Sequence, residues 1–409
     1  MSAWAEIVRI AGRGDGATAD GRYFRATVTG DRVRGSAGNA EVQPGPNHAV
    51  PVCGHFPECG GCAMQHVSDD YYAVWAVERL HRALNGIEIG ATAPLHLSPP
   101  YSRRRASLRA LRRGKTLTLG FNADSSHHLV DLHECHVLAP ELFALIAPLR
   151  ALLSVALGDG QGAGISLTLS DSGVDVLLAN VVAQTLKQIE RLTDFAAQHG
   201  LARLSVEGPA GVETIAEAQA PVLHFGGVGV VLPPAPFLQA TRDGEAALCA
   251  AVLGGVGDAP RVADLFCGLG TFALPLAANK LLPLAANKRR VLAADNAGPA
   301  MAALTAAARS NGLLLLPEVR DLFRRPMDVD ELKRFDAVVF DPPRAGAASQ
   351  AAQLAKSAVS RVIAVSCNPV SFATDARMLV AGGYRLKKLT PVAQFRWSPH
   401  LELVAVFER

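Results

Sequence analysis

Short runs of alternating apolar and polar residues open the chain. AEIVRI (5–10) and RYFRATV (22–28), with the glycine-rich GRGDG between them, predict the strands of a small OB-like β-barrel over residues 1–45. EVQPGPNHAVP (41–51) is rich in Pro and Gly and reads as a linker. A helical stretch follows from Ser68, a good N-cap with Asp69 and Asp70 behind it, to Leu84. From about 101 to 235 strands dominate: ASLRALRR, KTLTLGF, ISLTLS, VDVLLAN and ARLSVEG, with helices over 140–157 and 183–199. This predicts a central α+β domain over residues 50–235. Beyond 236 the pattern changes. VADLF, VLAAD, DAVVFD, RVIAVSC and ELVAVFE are short apolar strands, mostly separated by Ala/Leu-rich stretches of helical length. That alternation predicts an α/β C-terminal domain over 236–409, a doubly wound Rossmann-like sheet, mostly parallel. Within it LPLAANKL (274–281) is followed at once by LPLAANKR (282–289). Pro283 cannot continue a helix, so the duplication predicts a bulging loop or an extra turn.

Hydrophobic residues are 49% of the chain, which supports sizeable cores and argues against a disordered protein. No apolar run approaches the ~18 residues of a membrane span. The first residues lack a basic segment followed by an apolar one, so a soluble cytoplasmic monomer, with no membrane partner, is the expectation. The formal charge is only +3, yet Arg103, Arg104, Arg105, Arg109, Arg112, Arg113 and Lys115 crowd one stretch without an acid. Such a stripe fits a nucleic-acid backbone, or alternatively a solvated strand pair.

Several spacings carry chemistry. Asp264-Leu-Phe-Cys-Gly-Leu-Gly-Thr271 ends a strand with an acid and a loop holding Gly268 and Gly270, which let a ligand approach the backbone. The next strand ends in Asp295, placed to bond a ribose. Asp341-Pro-Pro-Arg344 follows the fourth strand, in the crevice where α/β folds bind ligands. Ser366-Cys367-Asn368-Pro369 puts a thiol at a strand end, ahead of a helix over 371–379. The helix N-terminus there favours the thiolate, and a buried structural cysteine is the alternative. Glu402 enters an apolar strand, and no other acid lies between Ala376 and Leu401, so its carboxyl should be desolvated and its pKa raised. Cys53, Cys59 and Cys62, among Gly54, Gly60 and Gly61, join Cys135 as four thiols suited to either structural zinc or a [4Fe–4S] cluster.

Taken with Phe237-Leu-Gln239 and His400-Leu-Glu402, these motifs resemble, in order and spacing over 237–409, the S-adenosyl-L-methionine (SAM)-dependent RNA uracil-5 methyltransferases, in particular their iron–sulfur-containing 23S rRNA branch. The resemblance implies SAM contacts at Gln239, Phe266, Thr271, Asp295, Asp321 and Asp341. It implies Cys367 as nucleophile, Glu402 as base, and Phe237 stacking on the target base. It favours the [4Fe–4S] reading of Cys53, Cys59, Cys62 and Cys135, and likens the N-terminal barrel to a TRAM domain. RNA, most of all rRNA, is the implied partner. Thr271 stands where the family often has Asn, and Asp295 where Glu is common. Thr374 replaces an Arg, which removes a cation near the site. A tRNA substrate, a cytosine-5 enzyme and a non-catalytic RNA-binding scaffold are the rivals. The four cysteines argue against the first, the absence of Cys from DPPR against the second, and the joint presence of Cys367 and Glu402 against the third.

Overall fold

The computed structural model describes residues 3–124, 126–278 and 289–409. Five strands come first: β1 (Ala5–Ile10), β2 (Gly16–Thr18), β3 (Tyr23–Phe24), β4 (Arg32–Ser36) and β5 (Asn39–Gln43). They pair antiparallel in the order β3-β2-β1-β4-β5, a half-barrel around Ile7, Phe24 and Val33 whose end strands do not bond each other. Gly16 is required here, because a Cβ would lie 2.2 Å from Thr27 Oγ1. The Pro/Gly-rich segment after β5 is tied down rather than free. Wholly buried Asp31 accepts hydrogen bonds from Val28 N, Gly45 N and His48 Nδ1.

Helix α1 (Asp69–Ala83) starts as the sequence predicts, with Ser68 Oγ accepting from Tyr71 N. After it come β6 (His96–Leu97), β7 (Arg105–Arg113), β8 (Thr116–Asn122), β9 (Leu129–Asp131), α2 (Pro140–Phe143), α3 (Ile146–Ala156), β10 (Gly162–Ser170), β11 (Gly173–Ala179), α4 (Leu186–Gln198), β12 (Arg203–Gly208) and β13 (Gly211–Glu217). Seven of these strands form one sheet, β13-β12-β11-β10-β7-β8-β9, whose only parallel pair, β11–β12, is joined through α4. Its core packs Leu108, Ile165, Val176 and Leu204 under Leu149, Leu153 and Phe195 of α3 and α4. The helix predicted over 140–157 is two helices. Pro148 is tolerated because it falls in the first turn of α3, where an N–H has no intrahelical partner. A hairpin of β14 (Val222–Phe225) and β15 (Val228–Val231) turns through Gly226 and Gly227, both at positive φ.

The C-terminal part runs α5 (Arg242–Val256), β16 (Arg261–Leu265), α6 (Ala273–Ala278), β17 (Arg290–Asp295), α7 (Gly298–Ser310), β18 (Leu315–Val319), α8 (Val329–Leu332), β19 (Ala337–Phe340), α9 (Ala348–Lys356), β20 (Arg361–Ser366), α10 (Pro369–Ala381), β21 (Arg385–Ala393) and β22 (Glu402–Glu408). The sheet order is β18-β17-β16-β19-β20-β22-β21-β6, parallel from β18 to β20, with β22 antiparallel to both neighbours. Two apolar layers sandwich it, as expected of a doubly wound fold. The strand order reverses between β16 and β19, the crevice where such folds bind ligands.

The block expected over 50–235 divides. Tyr72, Trp75 and Leu80 of α1 share a core with Phe340, Phe372 and Phe407, and β6 adds a parallel edge to β21. An apolar helical stripe shows that a helix packs, not which sheet it covers, so the sequence could not assign it. Most of the tandem duplication, residues 279–288, lies outside the described residues. Among the described residues no helix is long and apolar enough to cross a membrane.

Candidate active site and cysteine cluster

A cavity of about 1420 Å³ opens where the three large sheets meet. The half-barrel contributes Gly12 and Arg13, the cysteine loop Gly60 and Gly61, the seven-stranded sheet Arg105, Ser107 and Thr168 with Arg103 just ahead of it, the segment before α5 Phe237 and Gln239, and the C-terminal domain Gly268, Asp295, Asp341, Cys367 and Glu402 among others. At its floor, the chain leaves β16 through Phe266, at φ 63°, Gly268 at φ 53° and Gly270 at φ 90°. The two glycines serve different ends. A Cβ on Gly268 would meet nothing within 4 Å, so its backbone faces open cavity. One on Gly270 would lie 2.2 Å from Leu304 Cδ1, so that glycine lets the loop pack on α7. Asp295, at the end of β17, accepts from Gly268 N at 3.0 Å and Ala297 N at 2.8 Å. Phe266 meets the ring of Phe323, centroid to centroid 5.3 Å. Gln239, Phe266, Thr271, Asp295 and Asp341 all line the cavity. Asp321 does not. Its carboxylate takes the N–H groups of Phe323 and Arg324 in the turn after β18.

Cys367, just past the end of β20, and Glu402, at the start of β22, face the same cavity. Glu402 is buried, and burial pushes its carboxyl up to about 7, against a hydrogen bond from Gln394 and the charges of Arg105 and Arg344. This is the desolvated carboxyl that its isolated place in the sequence predicts. The thiol reverses its expectation. Half-buried Cys367 does sit just ahead of α10, but burial and the nearby Glu402 and Asp341 charges push it up to about 11, with only Arg344 and a backbone hydrogen bond opposing. Lost hydration and two acids raise the thiol. The Asp341 carboxyl is also pushed up, by burial and then by Glu402 and Asp264.

The basic stretch is not one face. Strand alternation sends Arg104 to the interior, where it pairs with Glu245 and donates to Gln239 O, while Arg103 and Arg105 line the cavity. Arg109, Arg113 and Lys115 are exposed, and the two arginines continue the parity of Arg105. Arg112 is spent on Gly114 O and Leu157 O. Phe237 is 72% exposed at the cavity mouth, with the Arg105 guanidinium 4.9 Å from its ring centroid.

Cys53, Cys59, Cys62 and Cys135 are half-buried free thiols. Burial pushes Cys62 up to about 12 and raises Cys53 and Cys59, and the charge of Cys135 reaches all three. Cys135 thus joins the loop from 73 residues away in sequence. Gly60 is needed where that loop crosses the strand ends, since a Cβ would lie 2.8 Å from Asn122 O. Among the described residues, no group of three or more His, Cys, Asp or Glu side chains is set to hold a single metal ion.

A family model described as tRNA (Uracil-5-)-methyltransferase matches residues 256–409. An RNA methyltransferase of Zymomonas mobilis is 44% identical over 99% of both chains. The 23S rRNA (uracil(1939)-C(5))-methyltransferase RlmD of Pectobacterium atrosepticum is 31% identical over 90% of this chain and 81% of its own. The chain belongs to the RNA uracil-5 methyltransferase family. The fold agrees: the Pyrococcus abyssi tRNA (uracil-54, C5)-methyltransferase, solved with S-adenosyl-L-homocysteine, superposes at a TM-score of 0.78 over 99% of both chains, with 21% identity.

In this methyltransferase three further polar groups bear on the site, two of them carried by motifs without an assigned role. Arg344 bears on Cys367, Glu402 and His400, and its carbonyl accepts from Asn368 Nδ2 and Ser371 Oγ, tying the DPPR turn to α10. Its place in that motif is the signal that points to it. Asp264 is wholly buried behind the glycine loop, and burial pushes its carboxyl up to about 8. Gln394 has no signal in the sequence, since its partners are remote along the chain.

Proposed function

We propose that this enzyme methylates carbon 5 of a uridine in RNA, most of all in 23S rRNA, with Cys367 as the covalent nucleophile and Glu402 as the base. The observation that carries the reading is that the Glu402 charge reaches the Cys367 thiol inside one cavity that the glycine loop also faces. Carbon 5 of uracil is too electron-poor to take a methyl group unaided. The Cys367 thiol loses its proton to water, and its sulfur bonds to carbon 6, which sends the double-bond electrons toward oxygen 4 and makes carbon 5 nucleophilic, leaving Glu402 free for the later proton. Bound SAM supplies a methyl group on a positively charged sulfur. Once carbon 5 is methylated, Glu402 removes its proton, the carbon 5–carbon 6 double bond re-forms and the Cys367 sulfur leaves. A carboxyl held near 7 can carry that proton at neutral pH.

The residues fit SAM. The open backbone at Gly268, the Asp295 carboxylate fixed beside it and the Phe266–Phe323 pair offer a polar end and an aromatic end for a nucleoside. Gln239, Thr271 and Asp341 complete that lining in the proposal, and Asp321 acts through the turn that carries Phe323.

The four thiols are the donor set proposed for a [4Fe–4S] cluster: the charge of Cys135 reaches Cys53, Cys59 and Cys62, which supports their lying together as soft ligands. Held by Cys53, Cys59, Cys62 and Cys135, the cluster would pin the cysteine loop to the end of the seven-stranded sheet. The RlmD relative supports rRNA as the substrate.

The test of the chemistry is Glu402→Gln. The variant should add to uridine and accept the methyl group but fail to release, leaving a methyl-labelled RNA–protein adduct stable in denaturing gels. Normal turnover would place the base elsewhere. Mapping 5-methyluridine in rRNA and tRNA with and without the gene tests the substrate, and loss confined to tRNA would move it there.

A further inference from the structure

We propose that Gln394 is a positioning residue for proton removal, an amide locked so that only its NH2 end faces Glu402. The inference rests on the reading of Glu402 as the base. Gln394 follows the last residue of β21 and is 3% exposed. Its Oε1 accepts from Ala240 N at 2.7 Å, and its Nε2 donates to Gln239 Oε1 at 2.6 Å. Val392, two residues before it, is the register partner of Glu402, Gln394 and Glu402 line the same cavity, and a Gln394 hydrogen bond opposes the burial that raises the Glu402 carboxyl. With the oxygen facing Ala240 N–H, the NH2 is the end left for Glu402.

The polarity of this junction follows from one backbone group. An amide can be turned end for end when both ends find partners, but here a turn would set the NH2 against the Ala240 N–H and the oxygen against the Glu402 carboxylate. Both contacts would repel. Ala240 N therefore fixes Gln394 as a donor toward Glu402, and a carboxyl facing a donor is favoured in its ionised, proton-accepting form. The room for this arrangement comes from Gly244 in the first turn of α5, where a Cβ would lie 2.7 Å from Gln394 Cβ.

The other groups bearing on Glu402 come from three elements. Arg105 of β7 and Arg344 of the DPPR turn favour its charge, whereas Asp341 and Cys367, when ionised, oppose it. Gln394 differs from both arginines because it is buried, uncharged and held by the backbone, so substrate phosphates cannot draw it away. It also joins the proposed base to Gln239, which belongs to the SAM-side lining, leaving Gln239 with its NH2 as the free end.

The experiment measures release of the methylated covalent adduct against pH in Gln394→Met and Gln394→Glu, beside the wild type and Glu402→Gln. Met keeps the length and removes the donor. The midpoint of the acid limb should move up by about one pH unit, the scale of one hydrogen bond to a charged group. Adduct should accumulate at neutral pH and turnover should recover at alkaline pH, which a misfolded or merely loosened site would not do. Glu puts a like charge beside Glu402 at constant size and should move the midpoint further, and it keeps the inference testable if the Met variant does not fold. An unmoved midpoint in the folded variants, with Glu402→Gln still trapping adduct, overturns the role of Gln394 alone. Normal turnover by Glu402→Gln overturns it together with the proposed base.

Discussion

The Arg105 guanidinium lies over the exposed ring of Phe237, 4.9 Å from its centroid, at the mouth of the cavity that holds Cys367. One face of the ring is thus covered by a cation that burial and its neighbours Arg103 and Arg104 pull down to about 10, still protonated at neutral pH. The other face is free for a base. Phe237→Ala should weaken RNA binding by ~1–3 kcal/mol, the usual worth of one stacked base. Because the ring is 72% exposed, the melting temperature should hardly change. A raised KM with unchanged kcat and stability is the expected pattern, and an unaltered KM would remove Phe237 from the substrate path.

Cys367→Ala should lose methyl transfer completely while SAM binding, measured by calorimetry, persists. The cavity that would hold SAM draws on Gly268, Asp295 and Phe266, none of which depends on the thiol. Wild-type protein should form a lasting adduct with RNA carrying 5-fluorouridine, since fluorine cannot leave as a proton does. The Ala variant should form none, and residual turnover in it would sink the nucleophile assignment.

The pH profile follows from the two raised groups. Glu402 must be ionised to accept a proton, and its carboxyl lies at about 7 rather than near 4.5. Release of the product should therefore fall by about tenfold for each pH unit below that midpoint and level off above it. Cys367, at about 11 before substrate binds, adds a requirement of the same sign for the addition step. Rapid-quench measurement of the two steps separates them. A release rate that is flat between mildly acidic and neutral pH would mean that Glu402 is not the base.

Arg109, Arg113 and Lys115 are exposed, and the two arginines extend the face of β7 that reaches the cavity through Arg105. Replacing all three with Gln should weaken RNA binding and flatten the slope of log K against log salt by about 0.7 for each phosphate that is no longer neutralised. An unchanged slope would return them to a solvated surface. Arg104 should not be part of that experiment, because its buried pairing with Glu245 makes its loss a folding defect.

Protein purified without oxygen should be brown and contain about four irons, and Cys135→Ser should lose most of them. Colourless protein with stoichiometric zinc would overturn the cluster.

Much of this enzyme is legible from local pattern. The Ser68 cap of α1, the α/β alternation beyond residue 240, the glycine loop and the isolated Glu402 each depend on neighbours within a few residues, and sequence periodicity records those directly. β21 is hidden in the sequence because Lys387 and Lys388 interrupt its apolar alternation at a bulge. The basic stretch reads as one feature along the chain, although strand alternation sends its members to opposite faces.

What the sequence by itself determined was the set of motifs and the elements that carry them. Only the tertiary structure decided that α1 and β6 complete the C-terminal body, and that the Cys367 thiol is raised rather than lowered. It alone decided that Gln394 meets Gln239 and Glu402, groups brought together from β21, β22 and the chain before α5. The reason is physical: propensity and capping act over a turn or two, whereas burial and charge act through space, and the charges that set a pKa here come from strands far apart in the chain.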